Sequence, residues 1–169
     1  MSEAIDIGKA AYGWWLRFLG DDGAGRMARA KLRRCETAAE ALAIEATHTL
    51  HGALGGSLQN RADTLALIAV SLAHIRISSR QSAAERMGKS LPALRFQMLI
   101  RSDAATLIRP LRRALVQIDS TANVGRLASD IFYWSEKTRN DWCFAYYGAA
   151  APVERPIDIS TISASEAQE

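Results

Sequence analysis

Arginine dominates the chemistry that this sequence can offer. Residues 94–115 (LRFQMLIRSDAATLIRPLRRAL) place five arginines within nineteen residues, against the single acid Asp103. Guanidinium groups suit bidentate contacts to phosphate and stacking on planar groups. The stretch is therefore a candidate nucleic-acid surface, with a solvated helix face as the ordinary alternative. Its five arginines are Arg95, Arg101, Arg109, Arg112 and Arg113.

A second basic run, at residues 26–34, repeats the design. In each run, a helix would place three arginines on one side and apolar residues on the other. One helix can then pack against the core and also present positive charge outward. The basic residues of the second run are Arg26, Arg29, Lys31, Arg33 and Arg34. The apolar side of the first comprises Leu107, Leu111, Ala114, Leu115 and Ile118.

The overall charge supports the same interpretation. The formal net charge of +3 hides an acidic last stretch; residues 1–149 hold 20 basic and 14 acidic residues, a net charge of +6. Arginine outnumbers lysine seventeen to four, which slightly favours a nucleic-acid partner, although genomic base composition also enriches arginine.

Other features predict a cytoplasmic protein with reduced thiols. Two cysteines, Cys35 and Cys143, are too few for a disulfide framework, and the N-terminus does not read as a signal peptide. No stretch approaches the ~20 apolar residues of a membrane span. We expect neither membrane association nor a small-molecule substrate.

Catalytic and metal-binding patterns are missing from the sequence. His48 and His51 are three residues apart, but two ligands do not make a metal site, and His74 is expected to pack or hydrogen-bond. The glycines of residues 20–25 follow a helical pattern rather than a strand, which is the wrong context for a phosphate loop. We therefore predict no enzyme activity, no metal and no cofactor.

Aromatic residues cluster near the two ends of the chain. Stacking on bases is one interpretation, and core packing is the one we favour, because Trp14 lies on an apolar stripe. Trp14 and Trp15 are adjacent, so one of them should face away from the core stripe of its helix. That residue is a candidate for a protein–protein contact.

Helical periodicity predicts an all-α protein of about seven to nine helices in two small halves. Residues 1–88 form the predicted N-terminal half, 89–148 the C-terminal half, and 149–169 a flexible acidic tail. Within these halves we expect helices at about 5–19, 24–35 and 37–51. Asn60 is predicted to cap a fourth helix, and residues 78–89 to form a loop between the halves.

The second half contains one awkward residue. If a helix begins near Asp103, then Pro110 lies too deep for its missing N–H to be harmless, and a kink or break is expected there. Asn123 should mark another break before a helix that runs to Trp134. A last helix is predicted from Thr138 to Tyr147.

Five short motifs follow one another within about residues 5–148. They are Trp14-Trp15-x-x-Phe18, Lys31-Leu32-Arg33-Arg34-Cys35, Arg95-Phe96-x-x-Leu99-Ile100-Arg101, Leu111-Arg112-Arg113-Ala114-Leu115 and Leu127-x-x-Asp130-x-x-x-Trp134. Their order and spacings resemble those of the CasB family, the small subunit of the type I-E CRISPR surveillance complex Cascade. Pro110, just before the fourth motif, looks like a local departure.

The resemblance implies a non-catalytic, all-helical subunit. In that family two copies lie head to tail along the crRNA filament, touching the backbone subunits and the large subunit. Their basic surface helps to hold the opened target DNA, chiefly the displaced non-target strand. The implied partners are thus crRNA, target and non-target DNA, other Cascade subunits and a second copy of the chain.

From the two basic runs and this resemblance we predict a set of phosphate-contacting arginines. The set comprises Arg26, Arg29, Arg33, Arg34, Arg101, Arg112 and Arg113, with Arg109 and Arg139 as second choices. Arg95, next to Phe96, is instead a candidate for holding helices together. Two rival functions stay open: a free-standing helical DNA- or RNA-binding protein, and a pure scaffold whose arginines pair with acids of partner proteins.

Overall fold

The computed structural model describes residues 4–150 and 152, and within them the chain is almost entirely helical. The helices are α1 (Ile7–Phe18), α2 (Gly23–Arg34), α3 (Ala38–Leu42), α4 (Glu45–Ala53), α5 (Ala62–Ala73), α6 (Ala83–Ser90), α7 (Ala93–Ile100), α8 (Ile108–Gln117), α9 (Val124–Phe132) and α10 (Glu136–Tyr146). Two short strands, β1 (Ile77–Ser78) and β2 (Thr121–Ala122), pair in parallel. The all-α class is confirmed.

Helix α5 forms the centre of the core. Every residue from Thr64 to Ala73 is buried, because the helix packs against α2, α3, α4, α8 and α9. A helix that is apolar all round is typical of such a central position. The polar residue His74 is the C-cap of α5. The side chains that pack around this end of the helix therefore also surround an imidazole.

Helices of the predicted N- and C-terminal halves share one hydrophobic core. Helices α1 and α9 pack closely where Gly8 meets Gly125, and a Cβ on either would lie 2.9 Å from the carbonyl oxygen of the other. The parallel pair β1–β2 joins the segment after α5 to the segment after α8. The predicted division at residues 88 and 89 stays a prediction. The predicted tail lies outside the described residues, except for 149, 150 and 152.

Six of the ten described helices begin with a side-chain cap. Asp6, Asp22, Thr37, Ser82, Asn123 and Ser135 each accept a hydrogen bond from the backbone N–H three residues later. These acceptors satisfy N–H groups that a helix start leaves without an intrahelical partner.

Several expectations about the first half were wrong. The predicted third helix is interrupted at residues 43–44, and two shorter helices, α3 and α4, take its place. Asn60 does not cap α5; Arg61 takes that position without a side-chain cap. The expected loop at 78–89 contains α6, whose N-cap Ser82 and buried Met87 provide a local start and a core contact.

The kink expected at Pro110 does not form. Asp103 accepts hydrogen bonds from the backbone N–H and hydroxyl of Thr106, at 3.0 and 2.9 Å, and so organises a turn rather than a helix start. Helix α8 begins later, at Ile108, and Pro110 lies in its first turn. A proline there disturbs nothing, since the N–H groups of a first turn have no intrahelical acceptor. Trp134 follows the end of α9 rather than lying within it.

Candidate nucleic-acid interface

The two basic runs, far apart in sequence, meet at the C-terminal end of α5. Helices α2 and α8 both pack against α5. Arg112 of α8 donates a hydrogen bond from Nη1 to the carbonyl oxygen of Cys35, the C-cap of α2, at 3.4 Å. The positive charges of Arg33 on α2 and Arg112 on α8 both lower the pKa of the His74 imidazole.

Six arginines lie near this junction, and we call them the arginine band. Arg29 and Arg33 are neighbours on α2, and the charges of Arg76 and Arg33 both help to lower the pKa of Arg29. On α8, Arg109, Arg112 and Arg113 surround one small cleft together with Glu36. The band comprises Arg29, Arg33, Arg76, Arg109, Arg112 and Arg113.

Arg29 is the most deeply engaged member of the band. Its Nη2 donates to the carbonyl oxygen of Leu19 at the C-terminus of α1, and its guanidinium lies 5.8 Å from the ring centroid of Trp15. Burial lowers the pKa of Arg29, the carboxylate of Asp21 opposes that shift, and the neighbouring arginines add to it. The contacts of Arg29 therefore stabilise the junction between α1 and α2, and its guanidinium is less available to a ligand.

The arginines of α8 are more open. Arg109 is 72% exposed and lies 3.6 Å from a carboxylate oxygen of Glu36, whose other oxygen is 4.0 Å from Arg112. Arg113 is exposed. Surface ion pairs at these distances contribute little to stability, so a phosphate group can displace Glu36 at small cost. The geometry suits contacts to a nucleic-acid backbone.

His74 is the buried polar group behind the band. Only 4% of its surface is exposed, and neither ring nitrogen has a hydrogen-bond partner among the described residues. Burial first, and then the charges of Arg33 and Arg112, lower its pKa to about 4. The imidazole is therefore neutral at physiological pH, and the positive charge at this junction comes from the arginines.

A cleft of about 470 Å³ opens between α7 and α8 beside the band. Its rim carries Arg95, Arg112 and Arg113, and His74 lies at its edge. Its remaining lining is mostly apolar and includes Leu91, Met98, Pro110, Ala114 and Val116. Met98 and Val116 are exposed apolar side chains, 61% and 54% respectively.

The other predicted arginines lie outside the band. Arg26 and Arg34 are exposed on α2, and Arg101 is exposed at the C-cap of α7. Arg139 is half-buried, with its guanidinium 5.7 Å from the ring centroid of Trp134. Of the predicted set, Arg29, Arg33, Arg109, Arg112 and Arg113 belong to the band.

The predicted outward-facing tryptophan does not exist. Trp14 and Trp15 are 2% and 8% exposed. Trp14 donates from Nε1 to the carbonyl oxygen of Ala46 and the hydroxyl of Thr49, and Trp15 donates to the carbonyl oxygen of Ile75. Both rings are buried because α1 packs against α4 on one side and α2 on the other. Neither offers an exposed ring to a partner.

Two residues of this site were not predicted from the sequence. Arg76 is an isolated arginine after α5, and His74 looked like an ordinary packing residue. Only the fold brings them beside the basic helices, so no local pattern identifies them. No group of three potential metal ligands occurs in the part of the chain that the structure describes, nor do the helices described there include one long and apolar enough to cross a membrane.

Comparison with known proteins adds independent information. The family model described as CRISPR-associated protein Cse2 matches residues 28–147. A chain in the crystal structure of E. coli Cascade bound to a PAM-containing double-stranded DNA target has the same fold, with a TM-score of 0.64, 19% sequence identity, and coverage of 85% of this chain and 95% of that one. CasB from Thermus thermophilus gives a TM-score of 0.62, 22% identity, and coverage of 86% and 100%. No curated protein matches the sequence significantly.

Proposed function

Because this chain belongs to the CRISPR-associated Cse2 family, we propose that it is the non-catalytic small subunit of a type I-E Cascade effector complex. Two copies would lie along the crRNA filament and contact the backbone and large subunits. Their role would be to hold nucleic acid opened during crRNA-guided recognition, chiefly the displaced non-target strand. The similar chain in E. coli Cascade comes from a complex bound to double-stranded DNA, which supports the proposal.

The physical task requires only modest binding. Forming an R-loop exchanges a DNA duplex for an RNA–DNA duplex of similar stability, so protein contacts to the backbone can decide the balance. Arginines that follow phosphates without reading bases provide such contacts at any target sequence. Sequence specificity would remain with the guide.

The arginine band is the observation that carries the proposal. It comprises arginines of α2, of α8 and of the segment after α5 whose charges act together on Arg29 or His74 or that line the cleft at Glu36. Its α8 members are exposed or half-exposed and only weakly paired with Glu36. A single strand laid across this junction would meet several cations in succession.

R-loop formation by a reconstituted complex, with and without this subunit, tests the proposal. The informative variant is Arg112→Ala/Arg113→Ala, which removes two band charges from α8. Its matched control is Lys9→Ala/Lys137→Ala, which removes two exposed charges outside the band. Arg29 is unsuitable for this test because it also holds α1 and α2 together.

The proposal expects the band variant to assemble but to open a matched target poorly, with a defect that grows as salt rises. The control should behave as wild type. If the band variant opens DNA normally, the site assignment is wrong. If it fails to assemble while the control assembles, the arginines bind protein partners and the subunit is a scaffold.

A further inference from the structure

We propose that the cleft between α7 and α8 receives one unstacked nucleobase of the single strand whose phosphates the arginine band holds. The inference rests on the proposed function and adds a second kind of contact to it. Backbone contacts alone would leave the bases free in solvent. A base pocket would fix the strand's position along its axis and keep one base away from its complement.

The lining of the cleft has two distinct parts, and together they match a nucleotide. Met98 and Val116 stand open to solvent at its mouth, and the buried side chains of Leu91 and Ala114 lie deeper. An apolar slot of this kind can cover the flat face of a base. Methionine adapts its shape well to a planar ligand, and proteins use apolar side chains, methionine included, against unstacked bases.

The rim supplies the complementary charge. Arg95 comes from α7, and Arg112 and Arg113 from α8, so cations border the apolar slot on both helices. A nucleotide within a strand carries its negative charge on the phosphates and presents an uncharged aromatic face beside them. The volume of about 470 Å³ lies within the range of small-ligand sites.

His74 and Gln117 add polar groups that suit the edge of a nucleobase. His74 lines the cleft, it is buried, and its ring nitrogens have no partner within the described chain. A neutral imidazole offers one donor and one acceptor, and the amide of Gln117 in the cleft lining offers both kinds of group. Base edges carry both donors and acceptors, so they can pair with these groups.

The ring nitrogens of His74 are covered when the cleft is empty. Arg112 also lines the cleft and acts electrostatically on His74. Contact between the imidazole and a base therefore requires that a side chain over His74 moves. We therefore assign the phosphate contact to Arg112 and Arg113, and the contact with the base face to Met98 and Val116.

Binding of two oligomers by the full-length chain tests this inference. One is a fluorescently labelled oligothymidylate, and the other has the same length and charge but an abasic sugar at every position. Wild-type protein should prefer the oligomer with all its bases. Met98→Ala should weaken binding of that oligomer about five- to tenfold, as expected for losing one base contact, and should leave the abasic oligomer unaffected.

Met27→Ala is the matched control. Met27 on α2 is 61% exposed, as Met98 is, but it does not line this cleft. Because both methionines are exposed, neither substitution should alter folding, and thermal melting of both variants checks that. The control should bind each oligomer as wild type does.

Other outcomes overturn the inference in distinguishable ways. Equal affinity of wild type for the two oligomers, unchanged by Met98→Ala, removes the base pocket and leaves backbone binding intact. Failure to bind either oligomer at low salt contradicts nucleic-acid binding by this chain as well. If Met98→Ala binds both oligomers normally but does not enter a reconstituted complex, the cleft receives a protein segment instead.

Discussion

Helices α2 and α8 each carry arginines opposite an apolar side, but they place them in different surroundings. The guanidinium of Arg29 on α2 donates to the end of α1 and lies over Trp15. That of Arg113 on α8 is exposed at the mouth of a cleft. Arg29 of α2 holds two helices together, whereas Arg109 and Arg113 of α8 are exposed to solvent.

The difference arises from what covers each helix. The Gly20–Asp22 turn folds α2 back against the C-terminus of α1, whose last carbonyl groups lack intrahelical donors, and Arg29 satisfies one of them. Helix α8 is followed by the short strand β2 and has only Glu36 as a carboxylate partner among the described residues. Similar periodicity therefore does not imply a similar role.

The largest expected effect concerns single-stranded DNA binding. Replacing Arg109, Arg112 and Arg113 with alanine should lower affinity about a hundredfold. The slope of log affinity against log salt concentration should become shallower by about two to three. Fluorescence anisotropy at several salt concentrations measures both quantities. Replacing the exposed Arg26 and Arg34 of α2 should have a much smaller effect. An equal or larger loss from α2 would reverse the assignment.

The next effect concerns His74, which lies between the two helices. Its folded-state pKa is about 4, against an ordinary value of 6.5, so in the intervening range the unfolded chain binds a proton that the folded chain does not. Stability should therefore rise with pH from about 4 to 6.5, by about 3 kcal/mol from this residue. Urea unfolding at several pH values measures the slope. His74→Gln should flatten it, while His48→Gln, at an exposed position, should not.

A stability comparison separates the two kinds of arginine directly. Arg29→Ala should lower the free energy of unfolding by about 1.5 kcal/mol, because it removes a hydrogen bond to a buried carbonyl group and the contact with Trp15. Arg113→Ala should change it by less than about 0.5 kcal/mol, as expected at an exposed position. Chemical denaturation of both variants checks this. Similar losses for the two would show that Arg113 is also structural.

The smallest expected effect concerns Glu36, which competes with phosphate groups for the arginines of α8. Glu36→Gln removes the carboxylate that pairs with Arg109 and Arg112, and should raise affinity for single-stranded DNA about two- to threefold with almost no change in stability. Glu45→Gln is the control, since Glu45 is exposed and lies at the start of α4. If the two variants gain equally, only net charge matters and Glu36 does not screen the band.

Local sequence patterns predicted much of the fold. Side chains such as Leu107, Leu111 and Leu115 are buried as their spacing indicates, and α9 begins directly after Asn123, where a break was expected. The resemblance to the CasB family is confirmed by the family match. Pro110 was misjudged because the start of α8 depends on how the Asp103–Thr106 turn closes, which periodicity does not report.

The site was predicted in its components but not in its assembly. Helical spacing alone placed Arg109, Arg112 and Arg113 opposite the apolar side of α8, because the period of a helix fixes which residues share a face. It could not indicate that Arg112 reaches Cys35, 77 residues earlier in the chain. Nor could it indicate that His74 would be buried between two basic helices. The sequence by itself determined the helices, their caps and their charged faces through interactions between near neighbours. Only the tertiary structure decided which faces meet, because that depends on how all the helices pack around α5.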